Sequence, residues 1–228
     1  MARPKSPRID RKQVIEVALE MIDRDGLGSF SVERLGERLG VRGPSLYHHF
    51  RDRAELLRAV ARLILLEMPD PRERGADATG VERWDQLVIR TTLNLRRTIM
   101  GHPKAAPLVL QYFPRDQLLS DYEWVASVLQ AQGVPARLHL RIYEGLEKLA
   151  LGSALYWSAV EASEGSASQT LFSGFPEGSD SPSMRAGLAA NRDDPEALFT
   201  SICETFLDGI WAEMSGSAGC RDAEGFAI

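Results

Sequence analysis

Cysteine is almost absent. Cys203 and Cys220 are the only two among 228 residues, too few and too badly spaced for a disulfide framework or a metal knuckle. No run of about 18 apolar residues occurs, so no membrane span is expected. The opening stretch Met-Ala-Arg-Pro-Lys-Ser-Pro-Arg lacks the apolar segment of a secretory signal, which makes a reducing cytoplasm the expected location. The fingerprints of catalysis are missing too: there is no Gly-x-Ser-x-Gly elbow, phosphate loop, dinucleotide fingerprint or zinc-protease helix. An enzyme would have to work with carboxylates scattered over helices, so the expectation is no enzyme, no cofactor and no metal. Strand-type alternation is also lacking, and no segment repeats. The chain reads as all-α.

What is present is ordinary in amount and uneven in placement. At 44% apolar and 26% charged residues the chain can bury a real core. Its net charge of −5 hides a division. Residues 1–68 carry thirteen Lys and Arg against ten Asp and Glu, whereas the remainder is strongly acidic. Arg3, Lys5, Arg8, Arg11 and Lys12 crowd the first twelve positions.

The most informative stretch runs from Ser31 to Phe50. Ser31 is a good helix N-cap, and Leu35 and Leu39 follow at helical spacing. Gly40 suits the left-handed residue that ends a helix, and Val41 plugs the turn. Gly43-Pro44 opens a second helix with proline in the first turn, where its missing N–H costs nothing. Leu46 and Phe50 then face inward, four apart. Gly36 sits where a missing side chain lets the second helix cross the first closely. This is the plan of a helix-turn-helix, whose second helix enters the DNA major groove. A basic arm beside it, with acidic charge kept elsewhere, suits a protein that meets DNA with one end only. The arm, residues 1–9, either contacts phosphate or the minor groove or is a solvated terminus.

Leu-Gly-Val-x-x-Pro-Ser-Leu-Tyr-x-His-Phe, here Leu39 to Phe50, followed by Asp52-Arg53-Ala54-Glu55-Leu56-Leu57, resembles the TetR family of bacterial transcriptional regulators. The resemblance implies a three-helix DNA-binding domain joined to a larger helical ligand-binding and dimerisation domain. It also implies that Gly43, Pro44, Ser45 and His48 meet base edges or thymine methyls, and that Tyr47 and His49 clamp phosphate. Arg42 pairs with guanine or lies on the backbone, while Ser31 and Arg53 stand at helix N-termini, where phosphate binds. Glu33 and Gly43 occupy positions where base-reading side chains could sit, so DNA shape is expected to share in specificity.

The rest divides as follows. Asp10 caps a first helix running to about Asp25. Asp52 starts a capping-box-like turn and a helix to about Met68. Pro69 to Gly80, polar and rich in proline and glycine, is the expected linker between a domain of residues 1–68 and one of residues 81–215. Further helices are expected over 81–101, 105–112, 117–132, 136–162 and from Pro195 to Met214. Residues 163–194 read as a long mobile loop.

Gly145, Gly152 and Ala159 recur every seven residues on the longest of these helices, with Tyr156 beside them. Ile202, Phe206, Gly209 and Ile210 offer a matching face on the last. These surfaces either form a homodimer interface, as the resemblance implies, or pack within one subunit. Trp84, Met100, His102, Tyr112, Phe113, Tyr122, Tyr143, Glu147 and Trp157 are candidate lining for an effector pocket, against the plainer reading of core aromatics. The function expected is a homodimer that binds a palindromic double-stranded DNA operator and is released by a small molecule. An architectural or activator-type protein without small-molecule control is the alternative, and an all-helical enzyme the remote one.

Overall fold

The computed structural model describes residues 9–73, 82–164, 181–190 and 194–216. Among these, every regular element is helical: α1 (Arg11–Asp25), α2 (Val32–Arg38), α3 (Gly43–Leu46), α4 (Arg53–Leu65), α5 (Trp84–Met100), α6 (Ala106–Gln111), α7 (Leu119–Ala131), α8 (Ala136–Glu164), α9 (Pro182–Ala190) and α10 (Pro195–Met214).

The first helices form where the chain supplies its own caps. The Asp10 carboxylate accepts from the Gln13 amide at 2.7 Å, the Ser31 hydroxyl from Arg34 N at 3.2 Å and the Asp52 carboxylate from Glu55 N at 2.7 Å, each satisfying an orphan donor of the first turn. Gly26, with φ of +82°, stops α1. The apolar stripe of α1 (Val14, Ala18, Leu19, Ile22) and that of α4 (Leu56, Leu57, Val60, Ile64) are buried against Leu35, Leu46 and Phe50. This makes a three-helix head with α4 as its continuation. Each fully buried Leu or Ile contributes roughly 1.5–3 kcal/mol.

Beyond the head, α5 packs along α8. Leu87, Val88, Leu95 and Ile99 of α5 are buried, as are Leu138, Ile142, Leu146, Ala150 and Ala154 of α8. α10 lies on both, burying Phe199, Cys203, Leu207 and Ile210. Its Trp211 ring meets Trp84 with centroids 5.1 Å apart. Burial pushes the Cys203 thiol up to about 11, so it stays protonated at neutral pH.

Three expectations need amendment. α3 keeps α-helical form only to Leu46; Tyr47, His48 and His49 continue it as tighter turns, donating to residues three back. The expected linker does not begin as a free segment. Pro71 is buried, the Pro71 carbonyl accepts from Arg90 at 2.9 Å, and Arg72 reaches Asp121 at 2.8 Å and the Ser120 carbonyl at 2.9 Å. Within the expected loop 163–194, residues Pro182–Ala190 are helical. Residues 165–180 of that loop lie outside the described residues, as do residues 1–8 of the arm and Cys220.

Candidate functional site

The head presents the geometry of a helix-turn-helix. Val41 N closes the turn on the Gly36 carbonyl at 2.9 Å, and Gly40 takes φ of +69°. Gly36 permits the crossing: a Cβ there would stand 2.9 Å from Val41 O and 3.0 Å from Gly43 N. Arg42, Pro44, Tyr47 and His48 are exposed and Gly43 and Ser45 half-exposed, while Leu46 and Phe50 are buried. The structure therefore gathers Arg42 to His48 on one short outward segment.

His49 is less free. It is half-buried, and its carbonyl accepts from Arg11 at 2.9 Å. Arg11 also pairs with Glu55 at 3.0 Å and lies 4.5 Å over the Phe50 ring. The sequence counted Arg11 only among the five cations of the first twelve residues; it ties the back of the recognition segment to α1 and α4. Glu55 completes the tie. Its carboxylate accepts from Arg51 N at 2.8 Å, so the expected box closes one residue before the cap. That bond and the Arg11 guanidinium hold the carboxyl down to about 2.

The remaining cations sort themselves by partner. Arg11, Lys12, Arg24, Arg34, Arg38, Arg51, Arg58 and Arg62 all have acidic neighbours. Arg42 and Arg53 are the cations of the head without one among the described residues. Arg53, exposed at the first position of α4, lies 5.7 Å from the Phe30 ring. Ser31 keeps a hydroxyl proton to donate while its oxygen caps α2.

Below the head lies a cavity of about 80 Å³. Val88, Thr91, Thr92 and Leu95 of α5, Tyr122 and Val125 of α7, and Tyr143, Leu146 and Glu147 of α8 form much of its wall. Leu118 and Asp121 join them, and Met68, Pro69 and Pro71, which follow α4, close it. The Tyr122 and Tyr143 rings meet edge to face with centroids 5.6 Å apart. Burial raises both phenols well above their ordinary values, so both remain protonated. The Tyr122 hydroxyl donates to Glu147, and the Tyr143 hydroxyl to the Tyr122 carbonyl at 3.2 Å.

Of the nine pocket candidates, Tyr122, Tyr143 and Glu147 line this cavity. Trp84 is buried against Trp211 instead. Tyr112 lies beneath Arg58 and Phe113 beneath Arg115. Met100 and Trp157 are half-buried outside the lining. His102 has another task altogether. Nδ1 donates to Asp23 at 2.7 Å and Nε2 to Glu67 at 2.9 Å, so one ring joins α1, the end of α4 and the end of α5. The Asp23 bond, reinforced by Glu67, raises its pKa to about 9 against the desolvation of the half-buried ring. Sequence reasoning missed the threonines of α5, whose spacing matched an ordinary apolar stripe. It also missed Met68, read only as a helix end, and Pro69 and Pro71, whose composition read as linker.

The two small-residue faces also divide. A Cβ on Gly145 would stand within 3.0 Å of three atoms of the Phe206 ring, so Gly145 packs against α10 of its own chain. Ile210 is buried there as well. For Gly145, Phe206 and Ile210 the internal alternative therefore holds. Gly152, Tyr156, Ala159, Ile202 and Gly209 are exposed, and nothing lies within 4 Å of a Cβ built on Gly152 or Gly209.

A helix-turn-helix head set on a helical body that encloses a small cavity defines a DNA-binding transcription regulator. Residues 14–60 match the family model described as bacterial regulatory proteins, tetR family. Over 209 residues the chain is 25% identical to tetracycline repressor protein class D of Escherichia coli, covering 91% of this chain and 92% of that one. A variant of TetR from Acinetobacter baumannii AYE in complex with minocycline superposes with a TM-score of 0.70 at 20% identity, over 96% of this chain and all of the other. BioQ with its natural double-stranded DNA operator gives 0.56 at 22% identity, over 67% and 89%. Residues 14–60 therefore carry the tetR-family DNA-binding segment, and over nearly its whole length the chain is similar to tetracycline repressors. No described helix is long and apolar enough to cross a membrane.

Proposed function

We propose that the chain is a ligand-responsive repressor, which binds a palindromic operator as a homodimer and leaves it when a small molecule enters the cavity. Residues 1–68 would serve as the DNA-binding domain and residues 81–215 as the sensing and dimerising domain. The observation that carries the reading is the composition of the cavity wall. Met68, Pro69 and Pro71 close it, and they continue directly from α4, whose first residue, Arg53, stands beside the recognition segment. Cavities of roughly 150 Å³ admit a benzene ring, so at about 80 Å³ this one must widen to hold even that. Widening on the side of Met68, Pro69 and Pro71 would move the end of α4. Glu67, next to Met68, is tied through His102 to Asp23 of α1, so the displacement reaches the head from behind. Shifting such an equilibrium from 1:99 to 99:1 takes about 5.5 kcal/mol of differential binding. The minocycline complex of the Acinetobacter protein and the operator complex of BioQ support a fold able to serve both roles.

On DNA, Arg42 and Arg53 would neutralise phosphate, with Ser31, Tyr47 and His49 beside them, while Gly43, Pro44, Ser45 and His48 face the bases. Replacing Arg53 by alanine should weaken binding to all sequences alike and lower the slope of log affinity against log salt by about one. Fluorescence anisotropy over a salt series measures it, and a loss confined to one base pair would contradict the phosphate role.

Gly152, Tyr156, Ala159, Ile202 and Gly209 would form the dimer face, with Phe206 and Ile210 supporting α10 from beneath. The recognition helices of a dimer would then stand about 34–36 Å apart. Gly152 is exposed and nothing stands within 4 Å of an added Cβ, so Gly152→Trp should leave the helical content intact and produce a monomer by light scattering. An unaltered dimer mass would place the interface elsewhere. Release is tested by titrating small molecules into the operator complex; a dimer that never leaves the operator would point to an architectural role.

A further inference from the structure

The wall of the cavity has an inventory of hydrogen-bonding groups that restricts what can occupy it. Its donors are spent. The Thr91 hydroxyl donates to the Leu87 or Val88 carbonyl at 3.1 and 3.0 Å, and that of Thr92 to the Val88 carbonyl at 2.6 Å. The Tyr122 hydroxyl is taken by Glu147 and the Tyr143 hydroxyl by the Tyr122 carbonyl. No lysine, arginine or histidine is among the described lining residues. What the wall retains is acceptors: the hydroxyl oxygens and two carboxylates, Asp121 and Glu147, each with lone pairs beyond the bonds it accepts.

The two acids differ. Asp121 is held by Arg72 at 2.8 Å, a guanidinium that also bonds Asp70 and the Ser120 carbonyl. Removing it would dismantle the segment after α4. Glu147 is the more buried acid, its side chain 13% exposed, and its one cation among the described residues is Arg115, through a 3.3 Å contact from a side chain 67% exposed. Such a pair contributes little, because water can replace the guanidinium at small cost. Its carboxylate is therefore the one polar group of the cavity that can be given a new partner cheaply.

We infer that the cavity selects a small molecule with an apolar, preferably aromatic, body and one protonated nitrogen, which binds the Glu147 carboxylate in place of Arg115. This rests on the reading of the cavity as the effector site. The Tyr122 and Tyr143 rings supply a face for the cationic end, and the aliphatic wall from Val88, Leu95, Val125 and Leu146 takes the body. An anionic ligand finds no free side-chain donor among the described lining residues and faces two carboxylates, so organic acids are disfavoured.

A matched trio tests the inference on the full chain by calorimetry: 2-phenylethylamine, 2-phenylethanol and 3-phenylpropionate, each against wild type, Glu147→Gln and Arg115→Ala. In wild type the amine should bind about tenfold more tightly than the alcohol, the size of effect one charge-assisted hydrogen bond gives, and the carboxylate most weakly. Glu147→Gln should bring the amine down to the alcohol while leaving the alcohol within about twofold. Arg115→Ala, which leaves the wall untouched, should tighten amine binding alone. If the acid or the alcohol binds as well as the amine, or if the preference survives Glu147→Gln, the cation specificity is overturned while the effector reading stands. If none of the three binds, the effector reading falls with it.

Discussion

Substituting Gly36 by alanine is expected to destabilise the head by about 2 kcal/mol. The sign runs against helix propensity, which favours alanine over glycine by about 1 kcal/mol within a helix. Gly36 lies inside α2, and an added Cβ would stand 2.9 Å from the Val41 carbonyl and 3.0 Å from the Gly43 amide. Both are backbone atoms of the turn, so no side chain can swing aside. Relief requires α3 to lift away from α2, which would also pull Leu46 from the core and disturb the outward face from Arg42 to His48. Gly43→Ala is the internal control. Its nearest neighbour would be Glu33 Cα at 3.8 Å, an ordinary contact, so stability should hold. Urea unfolding followed by far-ultraviolet circular dichroism measures both. Equal stability of Gly36→Ala and wild type would mean that the helices can part without cost.

The second large effect is at His102. Its imidazolium donates to Asp23 and Glu67, and its pKa of about 9 exceeds the ordinary value near 6.5. A histidine raised in this way stabilises the fold fully at pH values below the ordinary one, and the contribution disappears as pH climbs through about 9. His102→Ala should therefore cost about 2 kcal/mol at pH 6, a figure discounted for the exposure of Glu67. The cost should shrink steadily above pH 7 and become small near pH 10. Unfolding midpoints from pH 6 to 10 give the test: wild type should decline across that range and the variant stay flatter. Parallel curves would show that the ring contributes packing and no charge. Because the bond spans three helices, the variant should also respond less to ligand, measured as release of operator DNA per ligand bound.

Much of the fold was legible because its signals are local. A side-chain cap at Asp10, Ser31 or Asp52 needs only the next two or three residues. An apolar stripe such as Leu56, Leu57, Val60 and Ile64 needs only the 3.6-residue period. The helix-turn-helix could be read for the same reason: Gly36, Gly40, Val41 and Pro44 act within one short segment, and their spacing alone sets the turn. α9 was missed because Ser181, Gly187 and two neighbouring prolines outweigh a short apolar period. The shortening of α3 after Leu46 was hidden because Arg11, thirty-eight positions away from His49, takes part in holding that turn.

By itself, then, the sequence determined the helical class, the head and the residues turned outward on it, since each depends on neighbours in the chain. Tertiary structure alone decided which charges and which rings are available. Arg11 read as one more cation of the first twelve residues until Glu55 and the His49 carbonyl claimed it. His102 read as a ligand contact until Asp23 and Glu67 came within 3 Å. Gly145 and Gly152 were identical in register, yet only Gly145 has the Phe206 ring against it. A cavity has no sequence signature, because its wall is drawn from helices far apart in the chain and its chemistry depends on which donors their packing has already used.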